Sequence, residues 1–186
     1  MQQKLRLMVE APTTQIWIGR MVFITFSVIL IFIRLLPLDT RPDVWATPNW
    51  LLAITLVWIA RRPDYVPVYV IVSIFLLADL IFQRPPGLWA ALVVILTEML
   101  RTRTTSIRDL PLLLEWATIT IGIVTITIIN RIVLMVVMSP QAPLGLTLIE
   151  MVMTILFFPI VVAIAQFVFG ITRPALGEVN SRGHRL

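Results

Sequence analysis

Cysteine is absent from the 186-residue chain, which removes disulfides, thiolate metal sites and cysteine nucleophiles. The single histidine, His184, sits in a polar tail, so no imidazole base or histidine ligand cluster is on offer. Charge is scarce as well: 13% of residues are Asp, Glu, Lys or Arg, against about 25% in a soluble domain. What fills the space is apolar, at 59% of residues and a mean hydropathy of +0.95. Spread along the whole length, that composition cannot coat a water-facing surface and excludes one anchor carrying a soluble domain. A net charge of +5 and a pI near 11.0 would point to nucleic acid in a soluble protein, but in a membrane protein basic residues set topology, so no nucleic-acid partner is expected.

A helix needs about 20 residues to cross a hydrocarbon core about 30 Å thick. Six apolar runs of that order are expected as spans, over residues 16–36, 50–60, 66–82, 88–100, 112–138 and 144–171, making one domain at 1–172 and a flexible cytoplasmic tail at 173–186. The first run follows a polar start and lacks a small-residue cleavage site, so it reads as a retained helix and not as a signal peptide. Spans two and four are short and would need tilted neighbours, a thinned bilayer or a partner helix. Trp50 and Trp58 lie near the ends of span two, where interfacial aromatics are common. Span five is rich in Ile, Val and Thr, a strand-like composition that loses in lipid, where only a helix satisfies its own amides. Gln83-Arg84-Pro85-Pro86-Gly87 and Ser139-Pro140-Gln141-Ala142-Pro143 read as tight turns, and Pro159 as a kink in span six.

Six crossings leave both termini on one side. That side collects Lys4, Arg6, Arg61, Arg62, Arg101, Arg103, Arg108, Arg173, Arg182 and Arg185, while the other has Arg41 and Arg84, with Arg34 near the boundary. The positive-inside rule then places both ends in the cytoplasm.

An ionisable group at membrane depth costs about 2.5–3.5 kcal/mol on insertion scales, so each one must snorkel, pair or serve. Arg20 and Arg34 lie near opposite ends of span one and can snorkel; Glu98 can pair with Arg101 one turn on; Glu115 opens a helix whose N-terminus favours a carboxylate. Asp79 stands about two turns inside an apolar helix, with Arg84 and Arg34 as candidate partners, or a partner protein or ligand as the alternative. Arg131 and Glu150 reach similar depth on antiparallel spans five and six, and a buried ion pair is expected between them. Thr118, Gly122 and Thr125 share a helical stripe with Asn130 nearby, suited to close packing and interhelical hydrogen bonds within the bundle or to an external helix. No nucleophile with its base, metal constellation or phosphate loop accompanies these groups, so neither an enzyme nor a cofactor is expected.

Between Pro48 and Arg103 the sequence resembles a known family. The stretches are Pro48-Asn49-Trp50-Leu51-Leu52, Arg61-Arg62-Pro63-Asp64-Tyr65-Val66-Pro67, Phe75-Leu76-Leu77-Ala78-Asp79-Leu80 and Gln83-Arg84-Pro85-Pro86-Gly87-Leu88-Trp89-Ala90-Ala91-Leu92. They resemble the bacterial rod shape-determining protein MreD, in its alphaproteobacterial branch; about a third of the chain carries the likeness. The resemblance implies an all-α polytopic fold of six transmembrane helices similar to the membrane S-component of energy-coupling-factor transporters. It further implies an inner-membrane complex with the single-span protein MreC, the MreB filament, and the glycosyltransferase and transpeptidase that build side-wall peptidoglycan. The family's motif falls here on Leu76, Leu77, Asp79, Pro86 and Gly87. Two functions of different class follow as expectations: a non-enzymatic assembly protein of the elongation machinery, or a small-molecule-binding membrane subunit of a transporter with Asp79, Glu150 and Arg131 lining its cavity. Few polar groups converge in these spans, which favours the first. The tail is expected to touch the filament or anionic lipid, with lipid favoured.

Overall fold

The computed structural model describes residues 2–36, 46–108 and 112–169. Among them are six α-helices: α1 (Gln2–Leu35), α2 (Trp50–Arg61), α3 (Val68–Ile81), α4 (Leu88–Arg108), α5 (Leu112–Val136) and α6 (Leu144–Phe169), with a short 3-10 turn at Pro63–Tyr65. No strand occurs among the described residues. The chain is thus all-helical, and α1 over Thr14–Leu35, α5 and α6 are long and apolar enough to cross a membrane. Large apolar side chains such as Phe32, Ile121, Ile132, Leu156 and Phe167 stand exposed on these three helices, as lipid-facing residues do. The expected tail at 173–186 and the first connection around Arg41 lie outside the described residues.

Helix α2 is the axis of the bundle. Nine of its twelve residues are buried, and it packs against α1, α4 and α6, while α3 and α5 complete an outer wall in the order α1, α3, α4, α5, α6. This corrects the reading of span two as a short helix in need of lipid thinning or a partner: α2 is surrounded by protein, so the bilayer does not set its length. Helix α4 continues to Arg108, but through the polar stretch after Leu100, so its apolar part remains as short as expected. The short helix that does face outward is α3, ~21 Å long at ~1.5 Å per residue, with Tyr69, Leu77 and Leu80 exposed. Trp58 is a core residue, not an interfacial one: it is 3% exposed and its ring lies 5.5 Å from Phe23 and 6.2 Å from Tyr65.

Close contacts are made by glycine. A Cβ at Gly122 on α5 would overlap the tip of Leu96 on α4, so Gly122 serves packing inside the bundle, while Thr125 on the same stripe is exposed. Its threonines do not bridge helices; Thr118 and Thr125 donate to Leu114 and Ile121 carbonyls of their own helix at 2.8 and 2.7 Å. A second such contact escaped the sequence reading: Gly19 on α1 lies flat against the Tyr65 ring.

Pro159 stands inside α6, which runs on through it. Proline has no N–H to give the carbonyl four residues back, here that of Ile155. That oxygen instead accepts the Trp116 indole N–H from α5 at 3.0 Å, so a helix defect becomes a crosslink between α5 and α6.

Candidate functional site

The bundle has two dissimilar ends. One gathers the C-terminus of α2 with the loop that follows and is called the Arg61 end; the other gathers the N-terminus of α2 and is called the Asn49 end.

At the Arg61 end, Arg61 is 1% exposed and its guanidinium lies 4.0 Å from the carboxylate of Glu115, itself 3% exposed. Glu115 lies in the first turn of α5, as expected, and the structure also brings it together with Arg61 inside the fold. The expected Glu98–Arg101 pair is present at 2.9 Å. Arg101 adds hydrogen bonds to the carbonyls of Pro63 and Val66, at 3.2 and 2.6 Å, which tie the loop after α2 to α4. Arg20 donates to the Tyr69 hydroxyl at 3.2 Å and lies over the Trp17 ring.

The Asn49 end begins with the turn between α3 and α4. Helix α3 closes with Gln83 in the left-handed region (φ 53°), the Gln83 N–H bonded to Leu80 and the Arg84 N–H to Asp79 carbonyls at 3.3 and 3.0 Å. This pair of bonds ends a helix cleanly and fixes where Arg84 leaves it. Helix α4 then starts after Pro85, exposed Pro86 and Gly87, whose φ of 86° suits a residue without Cβ. None of these three can cap a helix with its side chain. Asp79 does so from across the turn: fully buried, it accepts the N–H groups of Gly87 and Ala90 at 3.2 and 3.1 Å. The expected ion pair of Asp79 with Arg84 or Arg34 is therefore replaced by a cap on α4. A signal for it existed, since a helix start with no Ser, Thr, Asp or Asn requires its cap from elsewhere.

Arg34, at the last turn of α1, pairs with Glu150 on α6 at 3.3 Å. The ion pair expected between Arg131 and Glu150 is thus not the one formed. Arg131 donates instead to the Thr147 hydroxyl and the Ala142 carbonyl, at 2.9 and 3.3 Å. Similar depth put Arg131 and Glu150 near one another, but rotation about the helix axes turned Glu150 toward α1. Arg34 and Arg84 both lie over the ring of Phe82, 5.3 and 5.7 Å from its centre. Burial and the nearby Arg34 charge lower the pKa of Arg84, against the pull of Glu150 and Asp79.

These groups surround a hollow whose origin is the short axis helix. The Asn49 N–H donates to the Thr154 hydroxyl at 2.8 Å, and Thr154 lies about ten residues into α6. The start of α2 is therefore set ~15 Å below the start of α6, at ~1.5 Å per residue. Above it lies a cavity of about 350 Å³ bordered by Arg84, Asn130, Arg131, Thr147 and Glu150. A second hollow of about 570 Å³ continues past Arg34 between the ends of α1 and α6. Among the described residues no cluster of His, Asp and Glu could hold a metal ion.

The sequence-predicted site residues thus divide. Arg34, Arg84, Arg131 and Glu150 converge on one basin, Asp79, Pro86 and Gly87 form the turn beneath it, and Gly122 is a packing residue of α5. No family model matches the chain, and neither a curated protein nor a solved structure matches it.

Proposed function

We propose that this chain is a six-span assembly protein of the bacterial inner membrane, with both termini cytoplasmic, that acts in cell elongation in the manner of the MreD family it resembles. It would hold MreC and, through it, the MreB filament and the side-wall glycosyltransferase and transpeptidase. One observation carries this reading. The residues that carry the resemblance split in two: Asp79, Pro86 and Gly87 form an internal brace, while the adjoining Leu76 and Leu77 face outward at 38% and 44% exposure. A brace that holds a short apolar face at the bundle surface is suited to a partner helix, which would cover what α3 is too short to match to the bilayer.

Affinity purification of the full chain from its own membranes in mild detergent tests this. A single-span protein with wall synthases is expected to accompany it, and to be lost in the Leu76→Ala, Leu80→Ala double variant. An ATPase pair in their place would overturn the proposal. Topology has a separate test that uses the absence of cysteine: Gln3→Cys and Ser181→Cys should label only from the cytoplasm, Gln141→Cys only from outside.

A further inference from the structure

Three arginines and one glutamate border the Asn49-end basin, and the glutamate is taken by Arg34. Arg131 is held by neutral oxygens, and the Arg84 guanidinium, lying over the Phe82 ring, makes no hydrogen bond or ion pair with any described residue. Asp79 attracts Arg84 from across the turn but makes no ion pair with either arginine, and one of its oxygens is committed to the amides of α4. Two guanidinium groups thus share a partly enclosed cavity with no carboxylate within ion-pair distance of either, an arrangement that costs free energy until an anion arrives.

We propose that the basin binds a phosphate group, with Arg84 and Arg131 as its direct ligands and the Arg34–Glu150 pair closing one side. Guanidinium forks match phosphate oxygens two at a time, and the positive end of α2 points into the same space. The shape of the second hollow says how such a group would arrive. Helices α1 and α6 make few direct contacts, and the gap between them is lined by Leu30, Ile31, Ile33 and Leu146 beside Arg34. An apolar slot leading to a cationic basin fits a lipid, its phosphate at the arginines and its chain in the slot. Both hollows lie within the ~300–1,000 Å³ usual for ligand sites. This inference is separate from the assembly reading, since its ligands are Arg84 and Arg131, not the exposed α3 leucines, and it needs no protein partner.

The test titrates the purified chain in nonionic detergent with phosphatidylglycerol or phosphatidylcholine and counts bound lipid by native mass spectrometry. One phosphatidylglycerol should bind about tenfold more tightly than phosphatidylcholine. Arg84→Gln and Arg131→Gln should each weaken it by about tenfold, while Arg20→Gln, at the opposite end, should leave it unchanged. Should Arg84→Gln not yield folded protein, Arg84→Lys keeps the charge, loses the fork and should show a smaller loss in the same direction. A parallel arm adds inorganic phosphate and follows the unfolding temperature: a rise seen in wild type and absent from Arg84→Gln, without lipid retention, assigns the site to free phosphate. Equal binding by wild type, Arg84→Gln and Arg131→Gln in both arms, or an equal loss in Arg20→Gln, would overturn the proposal.

Discussion

At the Arg61 end of the bundle, the buried arginine has a glutamate on a neighbouring helix, and Arg101 is held by Glu98 and two loop carbonyls. At the Asn49 end the arginines outnumber their carboxylate, and the space around them is hollow. The same residue type is therefore put to opposite uses. Matched charges surrounded by side chains close a structure, whereas unmatched charges beside a cavity leave it receptive. The difference traces to α2, whose C-terminus is plugged by Arg61 and the Pro63–Tyr65 turn, and whose N-terminus stops well below the rim.

The comparison breaks most visibly at Glu115. Glu115→Ala removes the carboxylate beside the buried Arg61 charge and should cost about 3–5 kcal/mol in reversible unfolding from mixed micelles, with much of it restored in the Arg61→Met, Glu115→Leu double variant. If the single variant unfolds like wild type, the Arg61 end is not held by this pair. Next comes Gly19→Ala, whose new methyl meets a ring that cannot bend; about 1–3 kcal/mol is expected, and more than for Gly122→Ala, where the flexible Leu96 can rotate away.

At the other end the effects shrink. Asp79→Ala removes the cap of α4 and should cost about 0.5–2 kcal/mol, whereas Asp79→Asn keeps an acceptor for the same amides and should cost less; equal losses would mean that charge, not capping, is the function of Asp79. Smallest of all is Arg34→Gln, at about 0–1 kcal/mol, because both partners of that pair are partly exposed. A large loss there would make the Asn49 end as structural as its counterpart.

The helical runs were legible because lipid demands apolar stretches and internally satisfied amides, so even the strand-like composition of α5 gave way. Which helix lies at the centre was not legible. Lipid and protein interior are equally apolar, and nothing in Trp50–Arg61 distinguishes burial in one from burial in the other. For the same reason Trp58 read as an interfacial residue. The site residues Arg34, Arg84, Arg131 and Glu150 were identifiable as costly charges, but depth along a helix does not fix the direction in which a side chain points. That is why Glu150 was matched to Arg131 and found with Arg34. Asp79 was recognised as important and given the wrong partner, since the amides it holds belong to backbone, which carries no letter in the sequence.

The proline of α6 has a bearing on how the molecule tolerates change. Replacing it with alanine restores an amide donor where a helix wants one, which in an isolated helix is a gain. Here the Ile155 oxygen already accepts the Trp116 indole N–H, and its two lone pairs would have to serve both donors. Repairing one helix would therefore bring less than it does in isolation, because the oxygen it returns to the ladder is already satisfied from the neighbouring helix.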